Sequence, residues 1–205
     1  MKFRALFAAA LAFVAGSASA DLQDYDFNGT FSQDNDIVTL SFHIDNPGTV
    51  TIFSSSWDDG GFDPIIAIWN AMGGLVQQQD DGGNVGSTMS NGVSYTHGTW
   101  DTYYSVALNA GTYFLTIAQY DNFAAGANLS DGFRYDGDAH FTHTLGYGPQ
   151  ADFNGVLNSN DGRNGSWAFH VLNVDVADQV EVPEPAGIAL LGLGLVALRL
   201  RRKAA

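Results

Sequence analysis

The chain has 205 residues, with 22 Asp and Glu against 8 Lys and Arg, no cysteine and a formal charge of −14. No disulfide scaffold is possible, and a polyanion of this strength gains nothing by counterion release from nucleic acid, so nucleic acid is disfavoured as a partner and cations are favoured. The charge is also unevenly placed. Lys2, Arg4, Arg199, Arg201, Arg202 and Lys203 stand near the ends, and only Arg134 and Arg163 lie between Asp21 and Glu184, where all 22 acids are found. Taking 22 minus 2 gives that body a formal charge of −20.

Residues 1–20 open with Lys2 and Arg4, run through an apolar middle and close on Ala18-Ser19-Ala20 ahead of Asp21. A charged start, an apolar helix and a small-residue exit make a cleavable secretory signal peptide, with Ala18, Ala20 and Asp21 marking the cleavage site. The body that follows, residues 21–176, is long enough to bury a core without staples and reads as one domain.

Strict period-two alternation sets the first strong signal. In residues 38–44 the apolar Val38, Leu40, Phe42 and Ile44 alternate with polar Thr39, Ser41 and His43, the pattern of a half-buried strand. Asp45-Asn46-Pro47-Gly48 reads as a turn and residues 49–53 as the returning strand, giving a first hairpin. Residues 65–69 and 75–79, joined around Gly73-Gly74, make a second. Residues 102–108 and 112–119 make a third, with Tyr104, Val106 and Leu108 facing Tyr113, Leu115 and Ile117. Residues 166–174 form a late strand with Trp167, Phe169 and Val171 on one side. Residues 82–98 and 122–138 lack pattern and read as long surface loops, and residues 177–182 as a linker. Many short strands, Gly-rich turns and abundant aromatic residues predict an all-β fold, a single antiparallel β-sandwich with jelly-roll-like connectivity.

The last stretch is of a different kind. Val182-Pro183-Glu184-Pro185 precedes an apolar segment, residues 186–200, and a basic end with Arg199, Arg201, Arg202 and Lys203. As a helix that segment covers roughly 22 Å, short of the about 30 Å hydrocarbon core, so it predicts a short transmembrane helix that thins the bilayer or snorkels its arginines. The basic flank keeps the extreme C-terminus cytoplasmic and places the body outside.

Residues 183–203 resemble the PEP-CTERM sorting signal of bacterial envelope proteins. The resemblance implies processing by exosortase, a membrane-embedded enzyme, at Pro183, Glu184 and Pro185, with the body then passing to the cell surface or the medium. It also implies association with extracellular polysaccharide. Within the body, Gly60-Gly61-Phe62-Asp63-Pro64, Asp80-Asp81-Gly82, Gln119-Tyr120-Asp121-Asn122-Phe123 and Gly165-Ser166-Trp167-Ala168 resemble an uncharacterised PEP-CTERM β-sandwich family, itself similar in strand pattern to the bacterial pre-peptidase C-terminal domain.

The 22 acids divide into twenty Asp and two Glu, and Asp is the carboxylate favoured both in turns and in calcium loops. The densest clusters flank the second hairpin at one end, so Asp58, Asp59, Asp63, Asp80 and Asp81 are candidate calcium ligands; the competing reading is turn chemistry on a solvated rim. His140 and His143, three apart in an expected strand or loop, fall on opposite faces and are not expected to share an ion. No Gly-x-Ser-x-Gly elbow is present, and no catalytic residue is assigned. Tyr95, Trp100, Tyr103, Tyr120, Phe123 and Tyr147 are expected in or beside loops, where rings could stack on sugars. The expected function is that of a non-enzymatic exported surface or matrix protein binding glycan directly or through divalent cations, with a secreted polysaccharide hydrolase as the alternative.

Overall fold

The computed structural model describes residues 21–155 and 162–180. The expected signal peptide, the Pro-Glu-Pro motif, the apolar segment 186–200 and the basic end lie outside the described residues; among those described, no helix is long and apolar enough to cross a membrane.

The described residues form β1 (Gln23–Thr30), β2 (Val38–Ile44), β3 (Gly48–Ser54), β4 (Pro64–Asn70), β5 (Leu75–Gln79), β6 (Gly86–Ser90), β7 (Val93–His97), β8 (Tyr103–Leu108), β9 (Gly111–Gln119), β10 (Ser166–Val174) and β11 (Val176–Gln179). A one-turn helix, α1 (Phe141–Thr144), and a 3₁₀ turn at Leu129–Asp131 interrupt the connection between β9 and β10. One sheet has the order β1-β10-β3-β8 and the other β11-β2-β9-β4-β5, while β6 and β7 pair as a separate ribbon. All strand pairs are antiparallel. With β11 and the ribbon set aside, the order β1-β10-β3-β8 against β2-β9-β4-β5 is jelly-roll connectivity, in which the chain repeatedly changes sheet.

The core follows from alternation. Ile52, Phe169 and Val171 from one sheet meet Leu40, Phe42, Ile68 and Leu115 from the other in a single apolar cluster. Burying these side chains is worth on the order of 2 kcal/mol each relative to exposure, which gives the fold its two-layer shape.

Two of the three expected hairpins are not hairpins. β2 and β3 lie in opposite sheets, so the turn at residues 45–47 arches over the core, and β8 and β9 are divided in the same way. Alternation reports that one face of a strand is buried but not which neighbour completes its ladder, and an arch and a hairpin share turn chemistry. Leu108, Leu115 and Ile117 do share one core cluster, with Tyr104, Val106 and Tyr113 packed against it, but across the sandwich instead of along a ladder. The β4–β5 pair is a true hairpin, with Ile66 opposite Gln79.

Part of the expected loop at residues 82–98 is the β6–β7 ribbon. Its Asn91-Gly92 turn takes φ of 47° and 78°, the positive values a tight two-residue hairpin turn needs. The expected linker at residues 177–182 likewise begins as structure: Val176–Gln179 adds an edge strand to β2, and the Val180 N–H donates to the Thr39 carbonyl at 2.9 Å. The domain therefore extends to the residue before the tail signal.

Candidate metal centre

The β4–β5 hairpin sets the site. Asp63 immediately precedes β4 and Asp80-Asp81 immediately follow β5, so the antiparallel pairing returns all three to one corner. Each offers a carboxylate oxygen, and these oxygens lie within 4.8 Å of one another. Asp63 is 8% exposed, and Asp80 and Asp81 are half-buried. Asp63 Oδ1, Asp80 Oδ1 and Asp81 Oδ1 are buried without a hydrogen-bond donor.

Two neighbouring segments close the corner. The Tyr120 N–H donates to the Asp63 carbonyl at 2.8 Å, which draws the end of β9 and Asp121 alongside. The Gly82 N–H meets the Asp101 carbonyl at 3.3 Å, which fixes Asp80-Asp81 against the start of β8. Asp101 and Asp121 are already supplied with donors. Asp101 accepts Ser54 Oγ at 2.7 Å and the Gly98 N–H at 2.8 Å. Asp121 accepts Arg134 Nη1 on both oxygens at 2.8 Å and the Tyr135 hydroxyl at 3.3 Å.

Burial acts on all three donor-free acids. Burial pushes the Asp63 carboxyl up to about 8, and the charges of Asp80, Asp81 and Asp101 push the same way against the pull of Arg163. Burial, then Asp81 and Asp121, raise Asp80 to about 7, and burial raises Asp81. Three carboxyls that resist ionisation, close together and with no donors on their inner oxygens, are disposed to accept a positive charge. The donor set is oxygen throughout, as a hard cation of the calcium type requires.

Of the five expected ligands the fold brings three together. Asp58 and Asp59 sit exposed on the turn closed by the Gly60 and Gly61 N–H groups and are not members of the cluster. The nearby acids Asp101 and Asp121 escaped sequence reasoning because they reach the corner from β8 and β9 by sheet order. The expected sequence cue, strands running out and back, applies only within a hairpin.

The histidines stand elsewhere. His140 stands in the turn just before α1 and pairs with Asp152 at 2.8 Å, while His143 lies within α1 and not in the strand or loop expected for it. His43 is on the outer face of β2, bonded to Thr112 at 2.9 Å and Asp45 at 3.1 Å. Among the described aromatics, Tyr120 packs edge-on to Phe123 at 5.7 Å beside the acid cluster, and Trp57 and Trp100 form a tilted pair at 5.9 Å. Trp69 and Trp167 are buried.

Residues 181–203 match the PEP-CTERM protein-sorting motif. The match is confined to the tail, and it identifies the signal of an exported, exosortase-processed protein. The resemblance of the body to the pre-peptidase C-terminal domain finds no support, and no curated protein matches the chain.

Proposed function

We propose that the chain is an exported surface or matrix module that holds calcium at Asp63, Asp80 and Asp81 and uses that ion to bind acidic extracellular polysaccharide. The observation that carries this reading is the trio of buried, donor-free carboxylate oxygens at the end of the β4–β5 hairpin. A body of formal charge −20 repels an acidic polymer on its own. A divalent cation with ligand positions left open by the protein would bridge the two, because calcium takes six to eight oxygens and the cluster supplies three side chains. The tail signal supports delivery through the envelope, where both calcium and such polymers are met. In this reading the apolar segment 186–200 holds the precursor in the membrane until exosortase acts near Pro183, and the body is then released to the surface or the medium.

The test is thermal melting of the full-length chain with calcium and with chelator. A ligand that binds only the native state raises stability by about 2.7 kcal/mol at a hundredfold excess over its Kd. The expected result is a higher midpoint in calcium, absent in Asp63→Asn and Asp80→Asn, together with co-sedimentation with polygalacturonate only when calcium is present. An unchanged midpoint in the folded wild-type chain removes the ion from the reading. A calcium-dependent midpoint without sedimentation keeps the ion and removes the polymer.

A further inference from the structure

Three residues far apart in sequence meet on the outer face of the four-stranded sheet. His170 lies in β10 opposite Asp26 of β1 and Phe53 of β3. Ile52, Phe169 and Val171 point into the core, so the alternating positions Phe53 and His170 face away from it. Ser55, just past β3, places its hydroxyl on the same ring: Ser55 Oγ is 2.8 Å from His170 Nε2, and His170 Nδ1 is 2.6 Å from Asp26 Oδ1.

The tautomer follows from the partners. An ionised carboxylate can only accept, so Nδ1 carries the proton and donates it to Asp26, and Nε2 is left to accept from the Ser55 hydroxyl. Asp26 is held in turn, accepting Ser90 Oγ at 2.6 Å on one oxygen and Asn91 Nδ2 at 2.8 Å on the other, both from the β6–β7 ribbon. The imidazole is clamped between Phe53, with centroids 4.4 Å apart, and Tyr95, at 4.0 Å. At 2% exposure the ring has no freedom to leave its partners, while Ser55 is only half-buried. A histidine that merely anchored the ribbon would turn its polar atoms toward it. Here the ribbon is anchored on Asp26, and Nε2 faces a serine on the other side.

We propose that Ser55 is a nucleophile activated by His170 and positioned through Asp26, taking the acyl group of a neutral carboxylic ester. Asp26 and the neighbouring Asp101 disfavour an anionic acyl group. In the first half-reaction Ser55 Oγ bonds to the ester carbonyl carbon as Nε2 takes the hydroxyl proton. The carbon–oxygen bond to the alcohol then breaks, and the alcohol leaves with that proton. In the second half-reaction water adds to the acyl-serine, gives its proton to Nε2, and the carboxylic acid departs as the proton returns to Ser55. Nothing is oxidised or reduced, and Asp26 stays ionised throughout. Its state favours this: burial opposes ionisation, but the hydrogen bonds from Asn91, His170 and Ser90 together hold its carboxyl below the ordinary value. Burial also lowers His170, against the raising effect of Asp26 and Asp101, with His97 of β7 lowering it further, so the ring is neutral and able to act as a base at pH 7.

This site shares no residue with the metal cluster and stands apart from the calcium reading. The test is labelling of the full-length chain with a fluorophosphonate probe, located by peptide mass. A stoichiometric adduct is expected on Ser55, absent from Ser55→Ala, slowed at least about a hundredfold in His170→Gln, and unaffected by chelator. Folding of each variant is checked by its melting transition. If His170→Gln does not fold, the wild-type labelling rate is followed with pH and is expected to collapse only below the ordinary histidine range. Absence of an adduct on the folded wild-type chain, an adduct on other serines only, or a rate indifferent both to His170→Gln and to acid overturns the proposal.

Discussion

Gly82 packs so closely on Tyr103 that a Cβ built on it would stand 2.3 Å from the Tyr103 backbone nitrogen. No side-chain rotation relieves a contact with backbone, so the chain between Asp81 and β8 must shift if this residue gains a methyl group. That segment is the one that carries Asp80 and Asp81 to Asp63. Gly82→Ala is therefore expected to cost about 1–3 kcal/mol in urea unfolding and to reduce the calcium-induced rise in melting midpoint. A variant with wild-type stability and a wild-type calcium response would show that this contact does not position the carboxylates.

The pH dependence of the calcium-free chain has a definite sign at this corner. The Asp63 carboxyl stands at about 8 in the fold against 3.8 for the ordinary group, so between those values the folded state holds the proton more tightly than the unfolded chain. The stability this group contributes is full below about pH 4 and is lost as pH rises toward 8. Asp80, at about 7, acts in the same direction. Melted without calcium across pH 5 to 8, the wild-type chain should lose stability relative to Asp63→Asn as pH rises, and saturating calcium should remove most of that relative loss. A gap between the two that stays constant from pH 5 to 8, or wild-type stability that rises relative to Asp63→Asn, would contradict the burial of an unpaired carboxyl at this position.

The sequence-level reading reached the class of the fold and one end of the site because both depend on local pattern. Alternation in residues 38–44 and the Gly73-Gly74 turn report burial and chain reversal within a few residues, and the β4–β5 hairpin alone is enough to bring Asp63 to Asp80 and Asp81. Sheet order is not local. Nothing in residues 45–47 distinguishes an arch from a hairpin, and so the partners of β2, β3, β8 and β9 were not legible. Strand β1 was missed because Asp24, Asp26 and Asn28 dilute its apolar positions, yet Asp26 is the residue that holds the His170 ring. The β6–β7 ribbon carried a usable signal in Asn91-Gly92, masked by the scarcity of apolar residues on either side.

The tail makes a prediction of its own. Residues 181–203 match the sorting motif, and the last described backbone pairing ends one residue before it, at Val180. Removing everything after Val182 should thus leave the sandwich intact while abolishing any membrane-associated precursor. Fractionation of cells expressing the full and shortened chains checks this. Identical distribution of both between membrane and soluble fractions would show that the tail does not act as a membrane handle.

Asp34 gives the sharpest stability prediction outside the site, because it joins the start of the sandwich to the long connection before β10. It is fully buried, and its carboxylate accepts the Thr142 N–H at 2.8 Å, the Thr142 hydroxyl at 2.6 Å and the Phe153 N–H at 2.6 Å. Its own N–H donates to the Ala139 carbonyl at 3.0 Å, so one residue ties down three points of a connection that has little regular structure. Removing the carboxylate leaves three buried donors without their acceptor. Asp34→Ala should cost about 2–4 kcal/mol, and Asp34→Asn nearly as much, because its amide can satisfy donors on one side only. The loss should appear as a lower urea midpoint with early proteolysis between residues 139 and 155. Loss of stability without local cleavage would mean that this connection is held mainly by the stacking of Phe141 on Tyr135, at 4.3 Å, and not by the carboxylate.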